Sequence, residues 1–342
     1  MRVCVAGAGA IGGFMGGRLA EAGHDVTLVT LGEHLEAIRT EGLRIVGTEG
    51  AERVVTNVDA TDDFSLVGRQ DVVILGVKAY QIEGVAPLLP PLFDPHTVLV
   101  TVQNGIPWWY FQRHGGSLDG RRIECLDPLG VIEHHLPASR IIGCVAYPAV
   151  EQVAPGLLRH VEGFRFPVGE LDSATTPRVQ SLSELLVSAG FKSPILPDIR
   201  AEIWLKAIGS LAFNPLSALT HAYLADICRA PETRSLALEM MREGERVAGQ
   251  LGVTLRLPPE RRLAGAEQIA GHKTSMLQDV EAGRALEIDA LMKAVLELAV
   301  LTGTPTPNVS AVYACVKLLD QTFREGRSRL RAERAAVVDL FA

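Results

Sequence analysis

Positive charge is in short supply in this chain. Forty acidic residues face 33 basic ones, a formal charge of −7, which argues against a nucleic-acid partner and against an anionic membrane surface. Long apolar runs are missing as well. No stretch approaches the roughly 18 apolar residues that a membrane-spanning helix needs, and the opening MRVCVAGAGAIGG brings its glycines too early for a secretory leader. The five cysteines, at 4, 125, 144, 228 and 315, are odd in number, scattered and without a CxxC pair. They give no disulfide framework and no metal site to expect, and read as reduced thiols in a cytoplasmic protein. Lysine is rare: it stands only at positions 78, 192, 206, 273, 293 and 317, and arginine supplies the rest of the basic charge.

What is present divides into two kinds of segment. The chain is 342 residues long, enough for two domains that each bury a core. RVCVA (2–6) is a short valine-rich run, followed at once by GAGAIG and then by GFMGGRLAEAGH with helical spacing; DVTLVT (25–30) is a second buried strand. Strand, glycine turn, helix and strand within about 30 residues form the parallel βαβ unit. Further strands are expected at 71–78 and 97–105, with helix-forming residues between them. Short strands, antiparallel in character, are expected over 141–170, and RVQSLSELLVSAGF is a helix closed by Gly190. From about residue 198 the strand signal stops, and helical periods cover 200–220, 232–251, 259–282, 286–303 and 308–324. The two prolines of PILPDIR set the boundary, giving domains 1–197 and 198–342. The charged end, REGRSRLRAERAAVVDLFA, reads as a peripheral helix or a loose tail.

The glycine turn carries the first chemical signal. Gly7, Ala8, Gly9, Ala10, Ile11 and Gly12 fit GxGxxG in its required place, after a strand and before a helix. Gly7 permits the tight turn, Gly9 lets backbone approach a pyrophosphate, and Gly12 lets the helix pack close to its strand. The anion then sits at the positive end of the helix dipole. A ligand-free structural turn is the alternative for the motif alone. An NAD site usually has Asp or Glu near the end of the second strand. Here Thr30 and Leu31 stand in that place and Glu33 comes only later, so the missing acid favours NADP.

The second signal is AEIWLKAIGSLAFNPLSALTHA (201–222), an apolar segment with a lysine in its middle. On a helix Lys206, Ser210, Asn214 and Ser217 form a polar stripe along one face. The stripe is either a solvated edge with a snorkelling lysine or the wall of a ligand pocket. Few flanking residues could form an ordinary exposed face, and Pro215 removes a backbone donor. Lys78 and Asn104-Gly105 end strands, where a doubly wound sheet binds ligands; a surface lysine and a plain turn are the alternatives. HKTSMLQDVEAGRALEID adds Ser275, Asp279 and Glu287, the last near a fresh helix N-terminus that would stabilise its charge.

Taken together, GAGAIG, GVKAYQ (76–81), QNG (103–105), AEIWLKAIGSLAFNPLSAL (201–219) and SMLQDVEAGRALEID (275–289) make the chain resemble the ketopantoate reductases over nearly its whole length. The resemblance implies an α/β fold, an N-terminal Rossmann-type doubly wound sheet followed by an all-helical C-terminal domain, with the site in the cleft. It implies NADPH-dependent reduction of a 2-keto acid to a 2-hydroxy acid, 2-dehydropantoate to pantoate, as in pantothenate biosynthesis. Lys206 would be the general acid. Asn104 would touch cofactor and substrate, Asn214 and Ser275 would hold the substrate's polar groups, and Glu287 would bind a substrate hydroxyl or help place the nicotinamide ribose. Lys78 would lie by the cofactor, and Ala149 would line it. Two positions depart from the pattern. Leu31 replaces an arginine that grips the 2′-phosphate, leaving Thr30 and backbone N–H groups for that task and keeping NAD open. Ser210 replaces an asparagine one turn after the lysine, in the substrate-binding face. The aromatic run Trp108-Trp109-Tyr110 is ordinary packing, an oligomer contact or a pocket wall. A homodimer is the expected assembly. The rival readings are a related hydroxy-acid or imine reductase, and a non-catalytic NADP-binding sensor.

Overall fold

A computed structural model describes residues 1–269 and 271–326. Eleven strands are present among them: β1 (Arg2–Ala6), β2 (Asp25–Val29), β3 (Leu43–Val46), β4 (Glu52–Val55), β5 (Asp59–Thr61), β6 (Gln70–Leu75), β7 (Phe93–Thr101), β8 (Ile141–Cys144), β9 (Ala149–Ala154), β10 (Leu157–Glu162) and β11 (Val168–Glu170). Seven of them form one sheet in the order β11-β8-β7-β6-β1-β2-β5. All its neighbours are parallel except the β8–β11 edge pair. Strands such as RVCVA and QDVVIL are apolar almost without interruption because both faces of a parallel sheet are covered. The chain winds outward from β1 to β5 on one side and from β6 onward on the other. Strand order therefore reverses between β1 and β6, and the carboxyl ends there open a crevice where ligands bind in doubly wound folds.

A second sheet of four strands, β4-β3-β10-β9, was not apparent from the sequence. The helix Ala10–Glu21 lies between the two sheets and touches both through paired glycines. A Cβ at Gly16 would stand 2.5 Å from Leu28 of the main sheet, and one at Gly17 would stand 2.8 Å from Ile45 of the small one. Gly12 is as constrained: its Cβ would fall 2.1 Å from the Gly7 carbonyl oxygen. Close backbone approach on two sides explains four glycines in a helix that intrinsic propensity would penalise by about 1 kcal/mol each.

Several sequence expectations need correction. The 141–170 strands do not form one antiparallel group: β8 joins the main sheet in parallel, β9 and β10 form a hairpin in the small sheet, and β11 returns antiparallel to β8. The crossover from β6 to β7 holds only the single-turn helix Ile82–Val85 and 3-10 turns, because Pro87, Pro90 and Pro91 interrupt it. The expected helix over 259–282 is two, Pro259–Glu267 and Ser275–Glu281, the second capped by the Thr274 side chain. An additional short helix spans Leu224–Arg229. The expected segment 286–303 begins with a π-helical turn, Asp289–Lys293, before Ala294–Thr302.

From Ile199 onward the described residues contain helices and no strand. The helix Ile199–Thr220 runs unbroken through Pro215 and is buried along most of its length, capped at its start by the Asp198 carboxylate on the Ala201 N–H at 3.0 Å. Helices Pro231–Gln250, Ser275–Glu281 and Pro307–Arg324 surround it. The expected terminal tail lies, beyond Gly326, outside the described residues. No helix among those described is long and apolar enough to cross a membrane.

Candidate active site

The glycine turn has the geometry its sequence requires. Gly7 adopts φ +100°, and a Cβ there would lie 2.6 Å from the Val77 nitrogen, so only glycine fits this crossing of β1 over the end of β6. Gly9 is different: a Cβ on it would meet nothing within 4 Å. The space in front of Gly9 opens on the N-terminus of Ala10–Glu21, whose first N–H groups have no partner within the helix. A pyrophosphate fits that combination of room, donors and dipole. Buried His34 braces the turn. Its Nδ1 accepts the Gly156 N–H at 2.8 Å, so its Nε2 carries the hydrogen and donates to the Ala8 carbonyl at 2.9 Å. Burial holds the His34 pKa below 6.5, against an upward pull from the Ala8 bond. The imidazole is thus neutral near pH 7.

At the end of β2 there is little to hold a phosphate. Leu31 is 72% exposed and begins the helix Gly32–Glu41 without a side-chain cap. The Thr30 N–H is occupied by the Thr61 carbonyl at 3.0 Å, which leaves its side chain for a ligand. Lys78, at the mouth of β6, is also committed. Its ammonium pairs with Glu287 at 2.9 Å and Asp279 at 3.0 Å, and Glu287 also accepts the Ala79 N–H at 3.2 Å. Burial alone would depress the Lys78 pKa, but the two carboxylates outweigh it and raise it. Arg284 closes the chain on Asp279 at 2.9 Å. This network ties the sheet to the helical part of the molecule, and within it Glu287 serves Lys78.

A second tie is backbone to backbone. Gly105, with φ +84°, packs so closely on the π-helical turn that a Cβ would lie 2.3 Å from the Ala290 carbonyl oxygen. The next residue, Ile106, donates its N–H to that same oxygen at 2.9 Å. Asn104 is thereby delivered to the cleft. There the half-buried Lys206 ammonium donates to Asn104 Oδ1 and to the Ala146 carbonyl at the end of β8. An ammonium has three N–H groups, so one remains for a third acceptor. Burial draws the Lys206 pKa down to about 8, partly countered by the charge on Glu287. Beside it Cys144 is buried, its thiol pushed up to about 12. It stays protonated near neutral pH and is no nucleophile.

Further along the same helix face Ser210 is partly exposed, and the Asn214 amide donates to Ser275 Oγ at 3.3 Å. Ser217 does not belong to the stripe: it is fully buried and donates to the Ala222 carbonyl at 2.7 Å, an internal helix-end contact. Ala149 opens β9 and lines a cavity of about 270 Å³ with Glu151, Arg159, His272, Lys273 and Gln278. The aromatic run is core. Trp109 and Tyr110 are essentially inaccessible, Trp109 donating to Thr101 at 3.0 Å and Tyr110 accepting from Trp204 at 2.8 Å. Sequence reasoning missed the Ala146 carbonyl, which no side chain announces, and His34, an unremarkable histidine in an amphipathic helix.

Known proteins resemble the chain over nearly its whole length. The ketopantoate reductase PanE/ApbA family model matches residues 3–173, and the model of its C-terminal part matches residues 198–320. The chain belongs to the ketopantoate reductase family. It is 47% identical to a 2-dehydropantoate 2-reductase of Mesorhizobium japonicum, over 93% of this chain and 98% of that protein. A structure from Ralstonia solanacearum MolK2 superposes with a TM-score of 0.89 at 37% identity, covering 94% of this chain and 98% of the other. A PanE/ApbA family ketopantoate reductase from Ralstonia eutropha JMP134 superposes with a TM-score of 0.81 at 26% identity, covering 95% and 100%. As a member of the ketopantoate reductase family the protein is an oxidoreductase. Of the residues the resemblance singled out, Lys206 bonds to Asn104 and Asn214 bonds to Ser275.

Proposed function

We propose that this protein reduces a 2-keto acid to the 2-hydroxy acid with NADPH, the pair being 2-dehydropantoate and pantoate, and that Lys206 is the general acid. The observation that carries the reading is the Lys206 ammonium, held by Asn104 and Ala146 with one N–H left over. A bound nicotinamide supplies hydride to the carbonyl carbon. Negative charge then grows on the carbonyl oxygen, and an ammonium aimed at that oxygen both neutralises the charge and gives up a proton. A pKa near 8 makes the group a stronger acid than an exposed lysine while it stays mostly protonated at pH 7.

The remaining assignments follow from position. Gly7 through Gly12 and Thr30 would hold the dinucleotide, with Ala149 at its border. Asn104 would orient Lys206 and reach cofactor and substrate, while Ser210, Asn214 and Ser275 would receive the substrate's hydroxyl and carbonyl groups. Lys78 and Glu287 would keep the two sides of the cleft together beside the nicotinamide ribose. The curated relative named for this reaction supports the substrate; NADP is favoured over NAD by the absence of an acid at the end of β2. A cytoplasmic homodimer completes the proposal, closed two-fold dimers being the commonest assembly of soluble enzymes.

The test is a panel of 2-keto acids with NADPH and NADH, run on wild type and Lys206→Ala. Wild type should oxidise NADPH fastest with 2-dehydropantoate. The variant should lose about 10²- to 10⁴-fold in kcat and keep its NADPH affinity. Near-normal turnover by the variant refutes the acid, and no turnover of any keto acid by wild type returns the sensor reading.

A further inference from the structure

The carbonyl that holds Lys206 stands in a link that belongs to neither sheet. Residues 145–148 join β8 of the main sheet to β9 of the small one, and none of them lies in a strand. The link runs instead beside residues 165–167. Val145 donates its N–H to the Pro167 carbonyl and Tyr147 donates to the Arg165 carbonyl, each at 3.1 Å. In such an extended pairing alternate residues turn their backbone groups to opposite sides. Ala146 lies between the two paired residues, so its own carbonyl faces away from them, and there the Lys206 ammonium donates to it.

Tyr147 fastens the link to the same helix one turn earlier. Its hydroxyl donates to Glu202 Oε1 at 2.7 Å. Glu202 stands four residues before Lys206 in Ile199–Thr220, so the two are neighbours on one face of that helix. Two consecutive residues of the link thus meet two neighbouring positions on the helix, Tyr147 on Glu202 and Ala146 on Lys206. Glu202 is 4% exposed and is held from two further directions. An Arg165 N–H donates to the same oxygen, from the segment that pairs with the link, and Arg256 Nη2 pairs with Oε2 at 2.9 Å. The Arg165 guanidinium also lies 4.9 Å from the centre of the Tyr147 ring, within cation–π range. Burial, followed by the bond to Glu202 and its charge, pushes the Tyr147 phenol up to about 12, so it stays a donor at neutral pH.

We propose that Tyr147 is a positioning residue for proton transfer: its bond to Glu202 sets the register of the link against the helix and so keeps the Ala146 carbonyl on the Lys206 ammonium. This rests on Lys206 being the proton donor. The helix fixes where the ammonium is rooted, the carbonyl fixes where it points, and Tyr147 joins the two. The groups whose charge acts on Lys206 are Glu287 and Cys144. Tyr147 works through the backbone of Ala146, so removing its hydroxyl leaves those charges as they were.

The experiment is Tyr147→Phe, which removes one oxygen and keeps the ring, measured with 2-dehydropantoate in the wild-type and K206A backgrounds. In the wild-type background Y147F should slow single-turnover NADPH oxidation about 10- to 100-fold, as expected when a positioning group shifts by about 1 Å, and leave the NADPH Kd within about threefold. The alkaline limb of its pH–rate profile should move below the wild-type position near 8, because an ammonium that loses an accepting carbonyl holds its proton less well. In K206A, whose remaining rate does not use the ammonium, Y147F should change that rate less than about twofold. A Y147F enzyme with the wild-type rate and the wild-type limb overturns the assignment. So does an equal loss in both backgrounds, which would make Tyr147 a residue of the fold alone; in either case the reductase reading stands. Near-normal turnover by K206A removes the proton donor, and the positioning role with it.

Discussion

Adding a single methyl group at position 105 should uncouple the sheet from the helical part and slow hydride transfer, though residue 105 need touch neither substrate nor cofactor. Gly105→Ala meets two obstacles. At φ +84° an L-residue is strained by about 1–2 kcal/mol. Its Cβ would also stand 2.3 Å from the Ala290 oxygen and 2.5 Å from the Ala290 carbon, both backbone atoms that no rotamer change can move. Reaching ordinary contact requires a separation of about 1 Å, beyond which the 2.9 Å bond from Ile106 to Ala290 no longer forms; its loss removes about 0.5–1.5 kcal/mol. The expected destabilisation is the sum, about 1.5–3.5 kcal/mol, read as a lower urea midpoint. Asn104 moves with its neighbour, and a 1 Å displacement of a positioning group can cost about 100-fold in rate. Single-turnover oxidation of bound NADPH measures that step directly. A G105A protein with both the wild-type urea midpoint and the wild-type single-turnover rate would show that the Asn104 turn is not held by this contact.

Three other outcomes follow from the site. If Lys206 donates the proton, kcat/KM for reduction should be flat below neutrality and fall as pH rises through about 8; K206R, which stays charged, should lack that limb in a pH–rate profile. The stability signature has the opposite slope. The folded-state pKa lies below the 10.5 of an ordinary lysine, so between about 8 and 10.5 the unfolded chain binds the extra proton. Wild type should therefore gain stability relative to K206M as pH rises across that window, in urea titrations at several pH values. Leu31→Arg places a guanidinium at the exposed start of Gly32–Glu41 and should improve the NADPH-to-NADH ratio of kcat/KM by about 10- to 100-fold. An unchanged ratio would mean that the 2′-phosphate is held elsewhere.

The legible parts of the molecule are those whose signals are local. RVCVA, the glycine turn and the following helix lie within about 20 residues, so periodicity and turn chemistry suffice, and the apolar 201–220 segment declares its helix despite Pro215. The small sheet is hidden because LRIV and ERVV are four-residue strands, and β3 finds β10 more than 110 residues away; no local pattern encodes such a pairing. The end of one helix at Glu267 and the start of the next at Ser275 are equally obscure, since QIAGHKT between them contains one glycine and no proline. In the site, Lys206 stands out because an ammonium is conspicuous among apolar neighbours. Its acceptor at Ala146 is a main-chain oxygen, and His34, which braces the glycine turn, is an ordinary histidine in an amphipathic helix. Only the fold singles them out.

The glycine pairs of Ala10–Glu21 give the two walls of the cleft unequal freedom. Gripped by a sheet on each side with no side chain to compress, that helix works as a fixed mount for whatever sits at its N-terminus. The helical part is tied to the sheet differently, by the Lys78 pairs with Asp279 and Glu287 and by the Gly105 turn packed on Ala290. A dinucleotide at that N-terminus would rest on the fixed mount, and closure over a substrate would have to come from the helical part.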